Sequence, residues 1–315
     1  MILHLLRFQI AVTLLPAQVA KYLEVCERKM AGLPAEQVAG QRFVLLGDAL
    51  MHSAKNLTAA QVIHYVEETA TLSGALDPSV KPAEWFPRAM LPPSLRTVPD
   101  DEHVRISLAG LVLGQIAGQA FVADLVTALD ALPAERRAKL TRAFGAWPTL
   151  LALAIDKIWL AEAEKPAPDW ESRLTWFSTM ATKATAWGKE SFRVLFTRAA
   201  SVVCNEYLND PDRAARMIES STTTVPSYAA LLLDQQAKIA AQKKQLPEAL
   251  GAVRQALAQW EEAEFEIHPK MLALQRAGCW AGKLELWAEA AGYFAHGAKL
   301  AKKLRLVVNE AGLSY

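Results

Sequence analysis

Apolar positions along the chain follow helical spacing wherever they follow any. Thr58-Ala59-Ala60-Gln61 leads into Val62-Ile63-x2-Val66, whose apolar side chains share one face of a helix. A threonine followed three residues later by glutamine is the pairing of a capping box, so a helix is expected to start there. Three more starts place a proline in a first turn, where its missing N–H is not needed, with a carboxylate close behind to complement the helix dipole. They are Leu33-Pro34-Ala35-Glu36, Leu132-Pro133-Ala134-Glu135 and Leu246-Pro247-Glu248-Ala249. Pro16 permits another helix from Ala17 to near Gly32. Alternation with a period of two is scarce, so no sheet is expected. The stretch 107–129 reads as the most hydrophobic helix, with Gly110, Gly114 and Gly118 at steps of four. Gln115, Gln119 and Asp124 interrupt it. It is expected to be a central helix of a water-soluble core, crossed closely at its glycines, rather than a membrane span.

Two breaks divide the pattern. Six prolines fall at Pro78, Pro82, Pro87, Pro92, Pro93 and Pro99, a spacing through which no helix continues. Trp85, Phe86, Met90 and Leu91 lie among them, which suits an ordered loop strapped over a core. Lys165-Pro166-Ala167-Pro168-Asp169 is a shorter loop. The resulting division is a helical region over 1–100, a central helical region over 101–190 and a repeat region over 191–315. Residues 1–15 are apolar, but His4, Arg7 and Gln9 interrupt them and no basic segment precedes them. A buried first helix or an edge strand is expected there, not a signal peptide.

The repeat region carries a small-residue code. Ala237, Ala249 and Val253 recur as Gly278, Ala290 and Phe294, without a gap, 41 residues later. Asp210-Pro211-Asp212-Arg213-Ala214 aligns with Gln245-Leu246-Pro247-Glu248-Ala249 at an offset of 35, with Val202 in the first small slot and Ile218 in the Phe294 slot. Gly312 and Tyr315 repeat the opening of the code once more. Small residues at a fixed period mark places where one helix crosses another in a stack of hairpins. Ala277-Gly278, Gly312-x2-Tyr315 and Ala290-x3-Phe294 resemble the tetratricopeptide repeat, over roughly 192–315. The tryptophan and closing-proline slots of that pattern are not filled. The resemblance implies an all-α fold of helical hairpins stacked as a solenoid, behind an N-terminal helical region. It also implies a groove lined by the first helix of each hairpin: Asp234, Lys238, Gln242, Gln275, Lys283 and Asn309. That set lacks the Lys/Asn/Arg cluster by which some relatives hold a terminal carboxylate.

Composition adds limits. A formal charge of +1 gives no global field toward nucleic acid or anionic lipid. Cys26, Cys204 and Cys279 are odd in number and form no C-x-x-C, which fits a reducing, cytoplasmic setting and inert buried thiols. Gly188-Lys189-Glu190-Ser191 looks like the tail of a phosphate loop but lacks its glycine lead. His64 with Glu68, and Glu264 with His268, are read as surface pairs rather than metal ligands, since a site needs three or four donors. Trp147, Trp159, Trp170, Trp176 and Trp187 are read as interlocking core. Arg173, Lys183, Lys189, Arg193 and Arg198 beside them are the residues that RNA would use. The expectation is a non-enzymatic scaffold or adaptor, without cofactor or metal, that binds a protein or peptide. The alternatives are the sensor part of a larger signalling or defence protein and a nucleic-acid-binding solenoid. Leu304, Leu306, Val307, Val308 and Leu313 are too apolar for a solvated solenoid end. The chain is therefore expected to continue into further sequence, or to dock its 299–315 helix on a second copy.

Overall fold

The computed structural model describes residues 18–30, 32–74, 95–116, 121–261 and 267–308, with the isolated positions 76, 86, 88 and 91. Every regular element among these is helical. The chain divides into two compact units, 1–161 and 162–315. The proline-rich stretch lies inside the first. The expectations for residues 1–15 and for Gly118, Gly312 and Tyr315 fall outside the described residues.

The first unit holds α1 (Val19–Met30), α2 (Ala35–Ser53), α3 (Ala59–Ser73), α4 (Asp100–Ile116), α5 (Phe121–Asp130), α6 (Ala134–Gly145) and most of α7 (Pro148–Ala163). The capping box forms: Gln61 N donates to Thr58 Oγ1 at 3.2 Å, and Thr58 N donates to Gln61 Oε1 at 2.9 Å. Pro34 and Pro133 stand one step earlier than expected, as N-cap residues. Helix α4 is the centre, packing against α2, α3 and α6. Val104, Ile106, Leu108, Val112, Leu113 and Ile116 are all buried on it, so its apolar surface runs around most of the circumference.

The hydrophobic stretch 107–129 is not one helix: α4 ends at Ile116 and α5 begins at Phe121. Each glycine inside a helix costs about 1 kcal/mol against alanine, and Gln115 is committed elsewhere. Its Nε2 donates to Leu50 O at 2.5 Å and its Oε1 accepts from Ala54 N at 3.0 Å, so it satisfies the open end of α2. The glycines also differ from one another. A Cβ on Gly110 would fall 2.5 Å from the Trp147 ring, whose Nε1 donates to Ile106 O at 2.7 Å. Gly114 faces open space. Only Gly110 is a close crossing among the described glycines of α4. In the proline-rich stretch Phe86 and Leu91 are buried. Arg88 holds the stretch by donating to Arg96 O at 3.0 Å and Val98 O at 2.7 Å.

The second unit holds α8 (Trp170–Ala186), α9 (Glu190–Val202), a π-helical extension of α9 (Val203–Tyr207), α10 (Pro211–Glu219), α11 (Pro226–Gln242), α12 (Leu246–Glu261), α13 (Ile267–Lys283) and α14 (Trp287–Val308). Its first residue pins the entry to α8. Glu162 is 2% exposed. It accepts from Asp169 N at 2.9 Å, Lys165 Nζ at 2.8 Å and Arg173 Nη2 at 2.8 Å. Burial pushes this carboxyl up, but those donors outweigh it and hold it at about 2, from an ordinary 4.5.

Helices α8 and α9, α11 and α12, and α13 and α14 form the three most extensively packed pairs. One turn recurs in all three. Gly188, Lys244 and Glu285 take left-handed φ values of 63°, 62° and 62°. The next residue donates back five positions: Lys189 N to Ala184 O at 3.0 Å, Gln245 N to Ala240 O at 2.9 Å, Leu286 N to Ala281 O at 2.9 Å. These are Schellman closures. The carbonyl of that same residue then accepts the first i→i−4 hydrogen bond of the following helix, from the N–H of Arg193, Ala249 and Ala290. Each first helix therefore ends, and each second helix begins, on a single shared residue. A related turn at Asn209 (φ 51°) joins α9 to α10. The small-residue code sits where the sequence places it: Ala237, Ala249 and Val253 are fully buried, and a Cβ on Gly278 would fall 2.8 Å from the Phe294 ring. Phe294 lies over Gly278 within its own hairpin and is largely exposed.

Candidate functional site

The expected groove residues lie on the first helices α11 and α13. Leu231-Leu232-Leu233 ends a strongly apolar stretch of α11, and the polar Asp234-Gln235 follows it at once. Both polar side chains are buried. Asp234 accepts a hydrogen bond from Arg276 Nη2 of α13 and pairs with Lys238 Nζ at 3.6 Å. One carboxylate thus joins two successive first helices and carries two cations. Burial pushes the Lys238 ammonium below its ordinary value, opposed by Asp234 and reinforced by Arg198 and Arg276 nearby.

Gln242, one turn beyond Lys238, donates to Asn205 O at 2.9 Å and Asn209 Oδ1 at 3.0 Å, which ties α11 back to the π-helical extension of α9. The extra residue of such a bulge frees a carbonyl from its usual intrahelical partner, and such bulges recur at functional places. Gln275 and Lys283 are exposed on α13. Asn309 lies outside the described residues. The structure therefore brings Asp234, Lys238 and Gln242 into one polar seam across α9, α11 and α13, and leaves Gln275 and Lys283 on open surface.

The seam has unmet hydrogen-bonding capacity. Gln235 is 0% exposed, yet neither its amide oxygen nor its nitrogen has a partner among the described residues; Asn205 Oδ1 and Arg276 Nε are likewise unpartnered. Each such group costs roughly 1–3 kcal/mol. Sequence reasoning missed Gln235, Asn205 and Arg276, and read Arg198 as a residue that RNA would use. The signal available was the polar pair set directly against three leucines. Arg276 had none, because its partner lies on another hairpin.

Other candidates resolve into packing. The five tryptophans expected in the core, Trp147, Trp159, Trp170, Trp176 and Trp187, are only half-buried and pack at its edge: Trp170 stacks on Tyr207 at 3.9 Å, Trp176 meets Phe177 and Phe196 edge-on, and Trp187 meets Phe192. Arg173 pairs with Glu162 and sits over the Trp176 ring at 5.9 Å. Arg193 donates to Ser221 Oγ and Thr222 O, and Arg198 is buried. Gly188 is the left-handed residue of a turn, which accounts for the fragment resembling a phosphate loop. His64 pairs with Glu68 at 3.2 Å, and Arg42 holds the same carboxylate at 2.8 Å. The Glu264–His268 pair lies outside the described side chains. Among the described residues no three His, Cys, Asp or Glu converge as metal ligands.

Cys26 and Cys204 are buried, and burial pushes the Cys204 thiol up to about 11. Cys279 departs from the expected buried thiol: it lies exposed on α13, beside the crossing glycine rather than beneath it. Open clefts among the described residues include two. One of 430 Å³ in the first unit is lined by Met30, Leu33, Val38, Arg42 and Leu72. One of 230 Å³ lies between α10, α11 and α12, lined by Glu219, Gln236, Lys243 and Glu248.

Among the described residues no single helix is long and apolar enough to cross a membrane; α6 and α7 reach that composition only as a pair bent by 101°. No protein-family model, curated protein or solved structure matches the chain.

Proposed function

We propose that residues 162–315 form a tetratricopeptide-like array that acts without catalysis, as a scaffold binding a partner protein or peptide along its first helices in a cytoplasmic setting. The observation that carries this reading is the polar seam across α9, α11 and α13. It sets the cations Lys238 and Arg276 on the buried Asp234 carboxylate, one position along α11 from Gln235, a buried amide with no partner among the described residues. Lys238 and Arg276 are partly exposed and Gln242 is exposed, so a carboxylate or a main-chain carbonyl of a peptide reaches them, while the Gln235 amide stays beneath the surface. Three of the five basic residues that RNA would use are engaged inside the unit: Arg173 in an ion pair, Arg193 in hydrogen bonds and Arg198 by burial, which favours a polypeptide partner over nucleic acid.

The test starts from native co-purification with the full chain as bait. The binding of the recovered partner is then compared between wild type and a Gln275→Glu, Lys283→Glu double variant. Both side chains are exposed, so folding is unaffected. Weakened binding, with amide protection on α11 and α13 in the complex, is expected. A partner that binds the variant with unchanged affinity and protects other helices would overturn the reading.

A further inference from the structure

The last hairpin carries an apolar face that its predecessor keeps covered. Helix α12 packs against α11 on one side and α13 on the other, and Leu250, Val253 and Leu257 on it are buried. Their counterparts 41 residues later are Ala291, Phe294 and Ala298 on α14, and all three are exposed. The same contrast holds for the first helices: Leu231 on α11 is buried, while Leu272 on α13 is 36% exposed.

Around α14 the residues Trp287, Ala288, Ala291, Phe294, Ala295 and Ala298 fall within about a third of a turn of one another. All six are exposed, Trp287 at 69% and Phe294 at 47%, and no charge interrupts them. Large aromatics standing free on a helix of a folded unit mark an interaction surface.

The order of sizes on this face points to one occupant. Turn the helix over about a two-fold axis passing between Gly292 and Tyr293, and both aromatics meet alanines. Trp287 of each copy then stands opposite Ala298 of the other, and Phe294 stands opposite Ala291. An isologous contact requires this kind of self-complementarity, with knobs and holes on the same patch. A helix from an unrelated partner would need only holes for the aromatics, and nothing would then fix the alanines at the mirrored positions.

We propose that this face of α14 is a homodimer interface, in which two copies pack α14 antiparallel with the aromatics of each seated on the alanines of the other. The surface is separate from the seam on the first helices, so the two readings stand or fall independently.

Sedimentation of the full chain, read alongside circular dichroism, tests it. Wild type is expected at twice its 34.5 kDa. The Ala291→Glu, Ala298→Glu double variant, at exposed helical positions, is expected at the monomer mass with unchanged helicity and melting temperature. A wild-type monomer overturns the proposal, and so does a variant that remains dimeric. A second measurement covers the case in which the double variant misfolds. Ala291→Cys in a Cys279→Ser background leaves the helix and its apolar surface intact, and a short bis-maleimide should join it to itself. Failure to form that covalent dimer overturns the proposal equally.

Discussion

Glu162→Gln isolates the contribution of one buried carboxylate to the second unit. Gln matches the shape of Glu but removes the charge that faces Lys165, Arg173 and the Asp169 N–H. A carboxyl held at about 2 instead of 4.5 corresponds to about 3 kcal/mol of folding free energy. Lys165 is half-exposed, so solvent screens part of this, and about 2 kcal/mol is the expected loss at neutral pH. The sign follows from the direction of the shift. A carboxyl whose folded value is depressed stabilises the fold above its ordinary value, and the contribution disappears as pH falls from about 4.5 toward 2. Urea unfolding of wild type and variant at pH 7 and again near pH 3, followed by tryptophan fluorescence, measures the gap between them. The gap should shrink markedly at the lower pH. Exchange of the Asp169 amide should accelerate in the variant at pH 7 only. A gap that is equal at both pH values would show that shape, not charge, is lost, and would refute the assignment.

The glycines of α4 and α13 separate by their surroundings. Gly110→Ala should cost about 2 kcal/mol by displacing Trp147 and its bond to Ile106, whereas Gly114→Ala, facing open space, should raise the melting temperature through helix propensity. In the monomeric Ala291→Glu, Ala298→Glu background Gly278→Ala should be near neutral, because the Phe294 ring over it is exposed there and free to swing outward; a large loss would mean that the ring is fixed. Lys244→Gly and Glu285→Gly should each stabilise by about 1 kcal/mol in thermal melts, since glycine carries no penalty at left-handed φ, and a loss in either would place the shared turn in doubt.

The helical class and the hairpin register were legible because both rest on local rules. Offsets of 35 and 41 residues between the small slots match the spacing from Asn209 to Lys244 and from Lys244 to Glu285, the left-handed residues that close the turns. The turns themselves were hidden, since Lys244 and Glu285 are residue types that no turn rule selects. The break between α4 and α5 was missed for a different reason. Periodicity reads one face at a time, while Gln115 is spent on α2, more than sixty residues away. In the same way Asp234 reads as a solvated groove position until Arg276 is seen against it. An ion pair between hairpins leaves no mark at the period of either helix.

That pair changes how the seam can be probed. Lys238 and Lys283 look equivalent as groove cations, but only Lys283 is exposed and without an ion pair among the described residues; Lys238 shares Asp234 with Arg276. Reversing the charge at Lys238 would set a second carboxylate against a buried one. The cost would then mix lost binding with lost folding, as expected when one member of a hydrogen-bonded charge network is removed. Gln235 offers a cleaner handle. Its amide has no protein partner among the described residues, so Gln235→Leu, close in volume, removes unmet polar atoms and should stabilise the free protein. Gln235 is fully buried, so only a partner that opens the seam reaches its amide; where one does, the same change must weaken binding. Stability and affinity moving in opposite directions at one residue is an outcome that a purely structural role for the seam does not produce.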